Sequence, residues 1–203
     1  MEQTLVAAHA LFAAHGYAAV KMDEIAASVG VTKPLLYNYF GNKEQLYITV
    51  MERAGDSLTA TVAEAVADSS SPGEALGEGV RAFFSFLDSD RAAWAVLFDE
   101  TLPRGGDVAE RVAEYRGEIV ALVSGSLLAQ VPAERQDAVR IEFEALSAAL
   151  LGAAEALARW WLRTQEIGAD AAAELLISTI EPGLRARSGP PTSNATDQGN
   201  KNS

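Results

Sequence analysis

Cysteine is absent from the 203 residues of this sequence. Its absence excludes disulfide bonds, a thiolate nucleophile and every zinc or iron–sulfur site that depends on cysteine ligands. Histidine is nearly absent, since His9 and His15 are the only two. Six residues apart on one helix, their side chains point about 120° apart and cannot share a metal ion. The sequence therefore predicts no metal and no cofactor.

Long apolar runs are also missing. No segment approaches the ~18 apolar residues that a membrane-spanning helix needs. The start, Met1-Glu2-Gln3-Thr4, has no basic segment ahead of its apolar residues, as a secretion signal would. We therefore expect a cytoplasmic protein that makes no membrane contact.

An excess of positive charge is lacking too, since the formal net charge is −12. That is unusual for a protein that binds nucleic acid, because Lys and Arg side chains neutralise the phosphates. The charge is uneven, however: residues 1–50 hold three lysines and four acidic residues, a net −1, and the remainder carries −11. A nearly neutral N-terminal part can still direct its few lysines at DNA.

The residues that are abundant favour helices. Alanine, leucine and glutamate dominate, apolar residues recur every three or four positions, and no alternating run typical of a strand occurs. We expect an all-α protein of about nine helices. It should consist of a three-helix head at 1–47, a helical body at 48–187 and a disordered polar tail at 188–203, since the tail is too polar to bury a core.

Caps and turn residues set the predicted helix boundaries. Helix one should run from Thr4 to His15 and stop at Gly16, and helix two from Met22 to Val29. Helix three should begin at Thr32 as its N-cap and reach Phe40. Helix four should begin at an Asn42/Gln45 capping pair. Later helices are predicted near 76–87, 94–99, 108–122 and 133–164, the third of these with Val108, Val112, Tyr115, Ile119 and Leu122 inward, and a last helix follows Gly168 and ends near Gly183.

Two short helices at 22–40 have the pattern of a helix-turn-helix. Ile25 and Val29 lie on one side of the first helix, and Leu36 and Phe40 on one side of the second. Gly30 stands where the tight turn needs a positive φ. In this motif the second helix enters the major groove of DNA with its N-terminal residues foremost.

A longer set of spaced residues resembles the DNA-binding head of the TetR family of transcription regulators. The matching segments are Phe12-Ala13-Ala14-His15-Gly16-Tyr17, Ile25-Ala26, Gly30-Val31-Thr32, Leu36-Tyr37, Phe40 and Lys43-Glu44-Gln45-Leu46. They cover about residues 4–50. The resemblance implies a homodimer that binds a palindromic operator in double-stranded DNA, more often as a repressor, and whose helical body senses a small molecule.

The resemblance also implies which residues contact DNA: Thr32, Lys33, Pro34, Leu35, Tyr37, Asn38, Tyr39 and Lys43. Tyr37 and Lys43 would bind phosphates, Lys33 would donate to a guanine, and Pro34 or Leu35 would pack on a thymine methyl group. Two features depart from the family. Val20 and Leu35 stand where a threonine is frequent, and the usual basic N-terminal arm is missing.

The body is rich in aromatic residues, which suggests a largely apolar effector site. Phe83, Phe84 and Phe86 cannot all face one side of one helix, so at least one should face a second environment. The predicted effector residues are Phe84, Trp94, Phe98, Tyr115, Phe143 and Trp160. Plain core packing is the alternative for each of them. Asp99 or Glu100 at the mouth of such a cavity would admit a cation.

The last two long helices are predicted to form the dimer interface. Residues 148–154 are small or aliphatic and let helices approach closely, and Leu175, Leu176 and Ile180 form an apolar stripe. Packing within one subunit is the alternative. No catalytic set is visible, because the pairs Asp99/Glu100 and Glu142/Glu144 are typical of solvated charge, so we expect no enzyme. Two rivals remain: an architectural DNA-binding dimer without an effector site, and a small helical hydrolase or carrier.

Overall fold

The computed structural model describes residues 1–188 and confirms the predicted all-α class. Within that range the chain forms nine helices and no strand. They are α1 (Glu2–Ala19), α2 (Met22–Ser28), α3 (Lys33–Phe40), α4 (Lys43–Val66), α5 (Pro72–Ser89), α6 (Arg91–Leu97), α7 (Asp107–Ala129), α8 (Ala133–Thr164) and α9 (Ala169–Ser188). The predicted polar tail, apart from Ser188, lies outside the described residues.

The regular part of the first helix ends at Gly16, as predicted, although a further turn follows within α1. That glycine has φ 75° and ψ 161°, which kinks α1, and one further turn follows before Ala19. A Cβ at Gly16 would lie 2.8 Å from the Oγ1 of Thr101. Glycine is therefore required here twice, for its positive φ and for the close approach of another segment.

The turn between α2 and α3 has the predicted geometry. Gly30 has φ 69°, and the N–H of Val31 donates to the carbonyl of Ala26 at 3.0 Å. Thr32 is the N-cap of α3, as predicted, and its side chain makes no capping hydrogen bond. Pro34 occupies the first turn instead, where its missing N–H and fixed φ favour the start of a helix.

Helix α4 joins the head to the body without a break. It begins as predicted, with Asn42 Oδ1 accepting from the N–H of Gln45 at 2.8 Å. Its first turns are buried in the head core, at Leu46, Tyr47 and Val50, and its later turns reach Leu58 in the body. The proposed boundary at residue 47 therefore falls inside a continuous helix and stays a prediction.

Two expectations about the later helices are wrong. Leu122 is 42% exposed rather than buried in the core, although it lines a cavity described below. Helix α9 does not end near Gly183 but runs on to Ser188, with Pro182 inside it. None of the described helices is long and apolar enough to cross a membrane.

The body is built around α5, which packs against α4 and α9, while α7 pairs with α8. Phe84 of α5 is fully buried and meets Trp161 of α8 edge to face, with ring centroids 5.7 Å apart. Such aromatic pairs add to the stabilisation from burial alone. The arrangement leaves a space between α4, α5, α7 and α8.

Candidate nucleic-acid interface and cavity

The face of α3 that the sequence assigned to DNA lies at the surface. Leu36 is buried and holds α3 against the head, and the residues around it are turned outward. The exposed set comprises all seven candidate residues at 32–39: Thr32, Lys33, Pro34, Leu35, Tyr37, Asn38 and Tyr39. Tyr39 is 58% exposed. Large apolar and aromatic side chains left open together mark a surface for a partner.

Lys33 is held by an acidic neighbour. Its Nζ lies 2.8 Å from Asp23 Oδ1, and the ammonium lies 5.9 Å from the centre of the Tyr37 ring. The hydrogen bond and charge of Asp23 raise the pKa of Lys33 above its ordinary value. Both partners are exposed, so the ion pair contributes little, and another acceptor can replace Asp23.

Lys43 is packed against the kink of α1. Its ammonium lies 4.3 Å from the centre of the Tyr17 ring and donates to the Ala18 carbonyl at 3.5 Å. Partial burial lowers the pKa of Lys43. The residue begins α4, so the free N–H groups of the first turn lie beside its charge, an arrangement that favours an anion.

The segment after α6 is bound to the head at the same kink. Asp99 Oδ2 accepts from the N–H of Tyr17 at 2.5 Å, and Thr101 Oγ1 accepts from the N–H of Ala18 at 3.2 Å. We call these two contacts the head latch. Asp99 therefore joins the body to the head, and it is not among the residues that line the cavity. Glu100, the other predicted mouth residue, pairs with Arg159 at 3.1 Å.

A second buried contact supports the latch. The Tyr47 hydroxyl of α4 donates to the Val96 carbonyl of α6 at 2.6 Å. Its ring meets those of Phe12 and Tyr17 edge to face, at 5.0 and 5.1 Å. Helices α1, α4 and α6 therefore form one packed unit at the junction of head and body.

A cavity of apolar character opens between α4, α5, α7 and α8. The volume open to the centre of a water molecule inside it is about 110 Å³. Thr59, Ser126 and Ser147 are the polar side chains among its walls. The other lining residues are Leu58, Val62, Ala63, Val66, Ala75, Leu76, Gly79, Val80, Phe83, Phe98, Ile119, Leu122, Val123, Leu127, Leu150, Leu151 and Ala154.

Of the six predicted effector residues, Phe98 lies in this lining. Phe84 and Phe143 are fully buried in the core outside it, and Trp94 stacks on Phe98 with centroids 4.0 Å apart. The other two, Tyr115 and Trp160, also lie outside the lining. Sequence reasoning missed the aliphatic walls, because aliphatic residues facing a cavity have the same helical spacing as residues facing a filled core. The expected divergence within the phenylalanine cluster is present, since Phe83 faces the cavity and Phe84 faces Trp161.

Helix α4 is fastened to α7 between its head half and its cavity half. Arg111 Nε donates to Glu52 Oε1 at 2.7 Å, and the Tyr115 hydroxyl donates to Asp56 Oδ1 at 3.3 Å. The Tyr115 ring lies directly against Gly55, where any Cβ would overlap it. We call this contact the α4–α7 clasp.

Among the residues that the structure describes, an apolar face of α8 and α9 is left open to solvent. Ile141 is 70% exposed and Leu175 is 53% exposed, and Trp160 is also open to solvent. Between Ile141 and Trp160, α8 also exposes the charged side chains of Glu142, Glu144 and Arg159 and a set of small residues at helical spacing: Ala145, Ala148, Ala149, Gly152 and Ala156. Of the predicted interface residues, Ala154 and Leu176 are instead buried inside the subunit. We call the exposed residues Ile141, Ala145, Ala148, Ala149, Gly152, Ala156, Trp160 and Leu175 the α8–α9 face.

Metal-ligating residues do not cluster in the part of the chain that the structure describes, where no group of three or more His, Asp or Glu side chains is placed to hold an ion.

Comparison with known proteins gives two family matches. Residues 5–50 match the family described as bacterial regulatory proteins, tetR family, and residues 72–181 match the tetracyclin repressor-like C-terminal domain. The HTH-type transcriptional activator FasR of Mycolicibacterium smegmatis is 36% identical over 110 residues, which are 54% of this chain and 50% of FasR. The chain thus spans half the length of that relative.

Two solved structures have the same fold over almost the whole chain. A TetR-like regulator from Rhodococcus sp. RHA1 is 33% identical with a TM-score of 0.71, covering 90% of this chain and 94% of its own. The regulator FadR from Bacillus subtilis, solved in complex with stearoyl-CoA, is 19% identical with a TM-score of 0.76, covering 90% and 98%.

Proposed function

Because this chain belongs to the TetR family of bacterial regulatory proteins, we propose that it is a transcription regulator that binds a palindromic operator as a homodimer and leaves it when a largely apolar effector fills the cavity. The observation that carries the proposal is the outward face of α3, with Leu36 buried beneath it and the residues from Lys33 to Asn38 open. Because bacterial operator DNA lies in the cytoplasm, we propose that the protein acts there.

On DNA, α3 enters the major groove and each candidate residue takes a role that fits its chemistry. Lys33 leaves Asp23 to donate to a guanine, and Leu35 packs on a thymine methyl group. Tyr37 and Lys43 hold phosphates on either side and set the position of the helix. Thr32, Pro34, Asn38 and Tyr39 complete the surface.

The homodimer forms through the α8–α9 face. A stripe of small side chains lets two copies of α8 approach closely, and Ile141, Trp160 and Leu175 add larger apolar area. A two-fold axis places the two α3 helices about one DNA turn apart, ~34 Å, which is why the operator is palindromic.

The effector occupies the cavity with its apolar part. Walls of leucine, valine, isoleucine and alanine, together with Phe83 and Phe98, fit a flexible alkyl or acyl chain. The likeness in fold to a regulator solved with stearoyl-CoA supports the same class of ligand. Of the other predicted effector residues, Trp94 supports Phe98 from behind.

Binding reaches the head by two routes. Phe98 is followed directly by the head latch at Asp99 and Thr101, and α4 runs from the cavity wall to Lys43. An effector that displaces Phe98 or the cavity half of α4 tilts α4 and changes the spacing of the two heads. By linkage, DNA then weakens effector binding by the same factor, typically ~5–150-fold.

Two rival functions are less well supported. An architectural dimer needs no cavity, whereas the 110 Å³ found here is several times the ~10–15 Å³ that one water needs. A hydrolase or carrier needs a convergent polar set, and we propose no enzymatic activity. We propose repression as the direction of regulation, although the relative FasR is named an activator. A transcription assay with and without the protein distinguishes the two.

Selection of binding sites from a random DNA pool, followed by titration of the best site and its single-base variants, tests the proposal. We expect an inverted repeat, and a Lys33→Ala protein should lose about 1–3 kcal/mol of discrimination at one base pair of each half-site. Lys21→Ala, a lysine of the head that lies outside α3, is the matched control and should keep that discrimination. Equal loss on every sequence would make Lys33 a phosphate contact, and failure to select any repeat would refute operator binding.

A further inference from the structure

The walls of the cavity between α4, α5, α7 and α8 carry no charge. None of the described residues that line it is ionisable, and its polar side chains are those of Thr59, Ser126 and Ser147. An ionised group buried there would lose its hydration without gaining a partner, and contact with aliphatic walls does not offset that loss. The part of a ligand that enters the cavity must therefore be uncharged.

The three hydroxyl groups of the lining are already engaged within the protein. Ser147 Oγ donates to the Phe143 carbonyl at 2.8 Å, and Ser126 Oγ donates to the Leu122 carbonyl at 2.9 Å, each within its own helix. A hydrogen bond links Thr59 to the Tyr115 hydroxyl. A carbonyl or carboxylate oxygen of a ligand would therefore find no free donor among these side chains, and leaving it buried without one costs its desolvation.

The volume of the cavity limits the size of what it encloses. About 110 Å³ is open to the centre of a water molecule. An apolar protein cavity of ~150 Å³ holds one benzene molecule, so a space of this size holds about four to six carbon atoms. The opening lies between α4 and α7, where Ala63 and Leu122 are the exposed members of the lining. The rest of a longer ligand would extend into water there and gain no apolar contact.

We infer that the cavity binds a compact, uncharged hydrocarbon group of about four to six carbons, such as one aromatic ring or a short branched alkyl group, through apolar contact alone. Selectivity then depends on volume, because no polar group of the wall fixes the orientation of the ligand. The inference rests on the proposed effector cavity and narrows its ligand to the short members of the apolar class. The stearoyl chain of the ligand with which FadR was solved is far longer than this space.

Benzene and pyridine separate a purely apolar site from one that offers a hydrogen bond. The two rings have the same size, and pyridine differs by one nitrogen that accepts a hydrogen bond. Binding of each to the full chain is measured by isothermal titration calorimetry at a pH where pyridine is neutral. The wild type should bind benzene at least about tenfold more tightly than pyridine, because the pyridine nitrogen would be buried without a donor.

A series of 1-alkanols from 1-butanol to 1-decanol measures the size limit. Each methylene group that enters the cavity should raise the affinity about fourfold, the effect of burying one such group. The hydroxyl group stays in water at the opening. Once about six carbons fill the space, the affinity should level off, since further methylene groups remain outside.

Ala154→Leu fills the cavity from within. Ala154 is a buried member of the lining on α8, and the added carbons take the place of the ligand, so the affinity for benzene should fall by about tenfold or more. Ala60→Leu is the matched control, because Ala60 is exposed on α4 and lies outside the lining. It should bind benzene as the wild type does. The two wild-type comparisons need no variant, so the inference stays testable if Ala154→Leu fails to fold.

Three results would each overturn the inference and leave the proposed regulator intact. They are pyridine binding as tightly as benzene, an affinity that keeps rising to 1-decanol, and a folded Ala154→Leu protein with unchanged affinity for benzene. If neither benzene nor any alkanol bound, the inference and the effector part of the proposed function would both fall. Operator binding, measured separately, would still stand or fail by itself.

Discussion

Tyr47 shows at the residue scale how the head is joined to the body. Its side chain is fully buried and its hydroxyl donates to the Val96 carbonyl across the junction. Burial raises the pKa of Tyr47 far above the ordinary value near 10. The hydroxyl therefore stays protonated, and the junction depends on that proton.

The stability of the protein should fall as the pH rises above ~10, the pKa of tyrosine in the unfolded chain. Below that pH both states hold the proton. Above it the unfolded state releases the proton while folded Tyr47 keeps it, so unfolding is favoured. Tyr47→Phe should cost about 0.5–1.5 kcal/mol at pH ~8 for the lost hydrogen bond and make the alkaline decline shallower. Burial raises the pKa of Tyr17 and Tyr115 as well, so part of the slope remains.

Urea unfolding at pH ~8 and pH ~10.5 measures both effects. Tyr39→Phe, which removes an exposed hydroxyl, is the control and should change the free energy of unfolding by less than about 0.5 kcal/mol at pH ~8. An alkaline decline of the same slope in Tyr47→Phe would contradict the account.

At the scale of the element, α4 is divided by its clasp to α7. Residues before Glu52 belong to the head core, and residues after Asp56 line the cavity. Gly55 lies between them because the Tyr115 ring fills the place of any side chain. Because the α4–α7 clasp holds the middle of α4, a displacement of the cavity half of the helix can move its other end, at Lys43.

Two glycine-to-alanine changes should have opposite effects. Gly55→Ala forces the Tyr115 ring away and should destabilise the protein by about 1–3 kcal/mol, as overpacking does. Gly117→Ala, on the open side of α7 where nothing lies within 4 Å of a new Cβ, should stabilise by about 0.5–1 kcal/mol through helix propensity. Chemical denaturation of both variants measures the change in the free energy of unfolding. Equal changes in the two variants would mean that the Tyr115 ring moves aside without loss of stability.

At the scale of the whole molecule, the proposed function needs two copies of the chain. Each subunit carries one α3 and one α8–α9 face, and a single α3 covers only half of a palindromic site. If the proposal holds, the interface determines operator affinity although it contacts no DNA.

Gly152→Arg should convert the dimer to a monomer and abolish tight operator binding. The arginine would stand in the small-residue stripe of α8, where close approach of a second helix leaves no room for it. Gly117→Arg makes the same substitution in a helix outside that face, also with nothing within 4 Å, and should stay dimeric. Sedimentation velocity gives the oligomeric state, and circular dichroism checks that both variants fold. A dimeric Gly152→Arg protein would refute this interface.

Local signals determined much of the structure from the sequence. The Asn42 cap, the positive φ of Gly30 and the bounds of α8 at Ala133 and Thr164 were all predicted, because each depends on a few neighbouring residues. The open face of α3 was predicted as well, since buried Leu36 fixes by helical periodicity which residues point outward.

Only the tertiary structure decided which inward-facing residues border empty space and which charges meet. Asp99 binds the N–H of Tyr17 across 82 positions of sequence, and Glu155 reaches Arg116 across 39. Periodicity shows that a side chain faces inward, but it carries no information about what lies opposite. The sequence by itself therefore determined the helices, their caps and the open face of α3, whereas tertiary packing decided the cavity, the head latch and the pairing of Arg116 with Glu155.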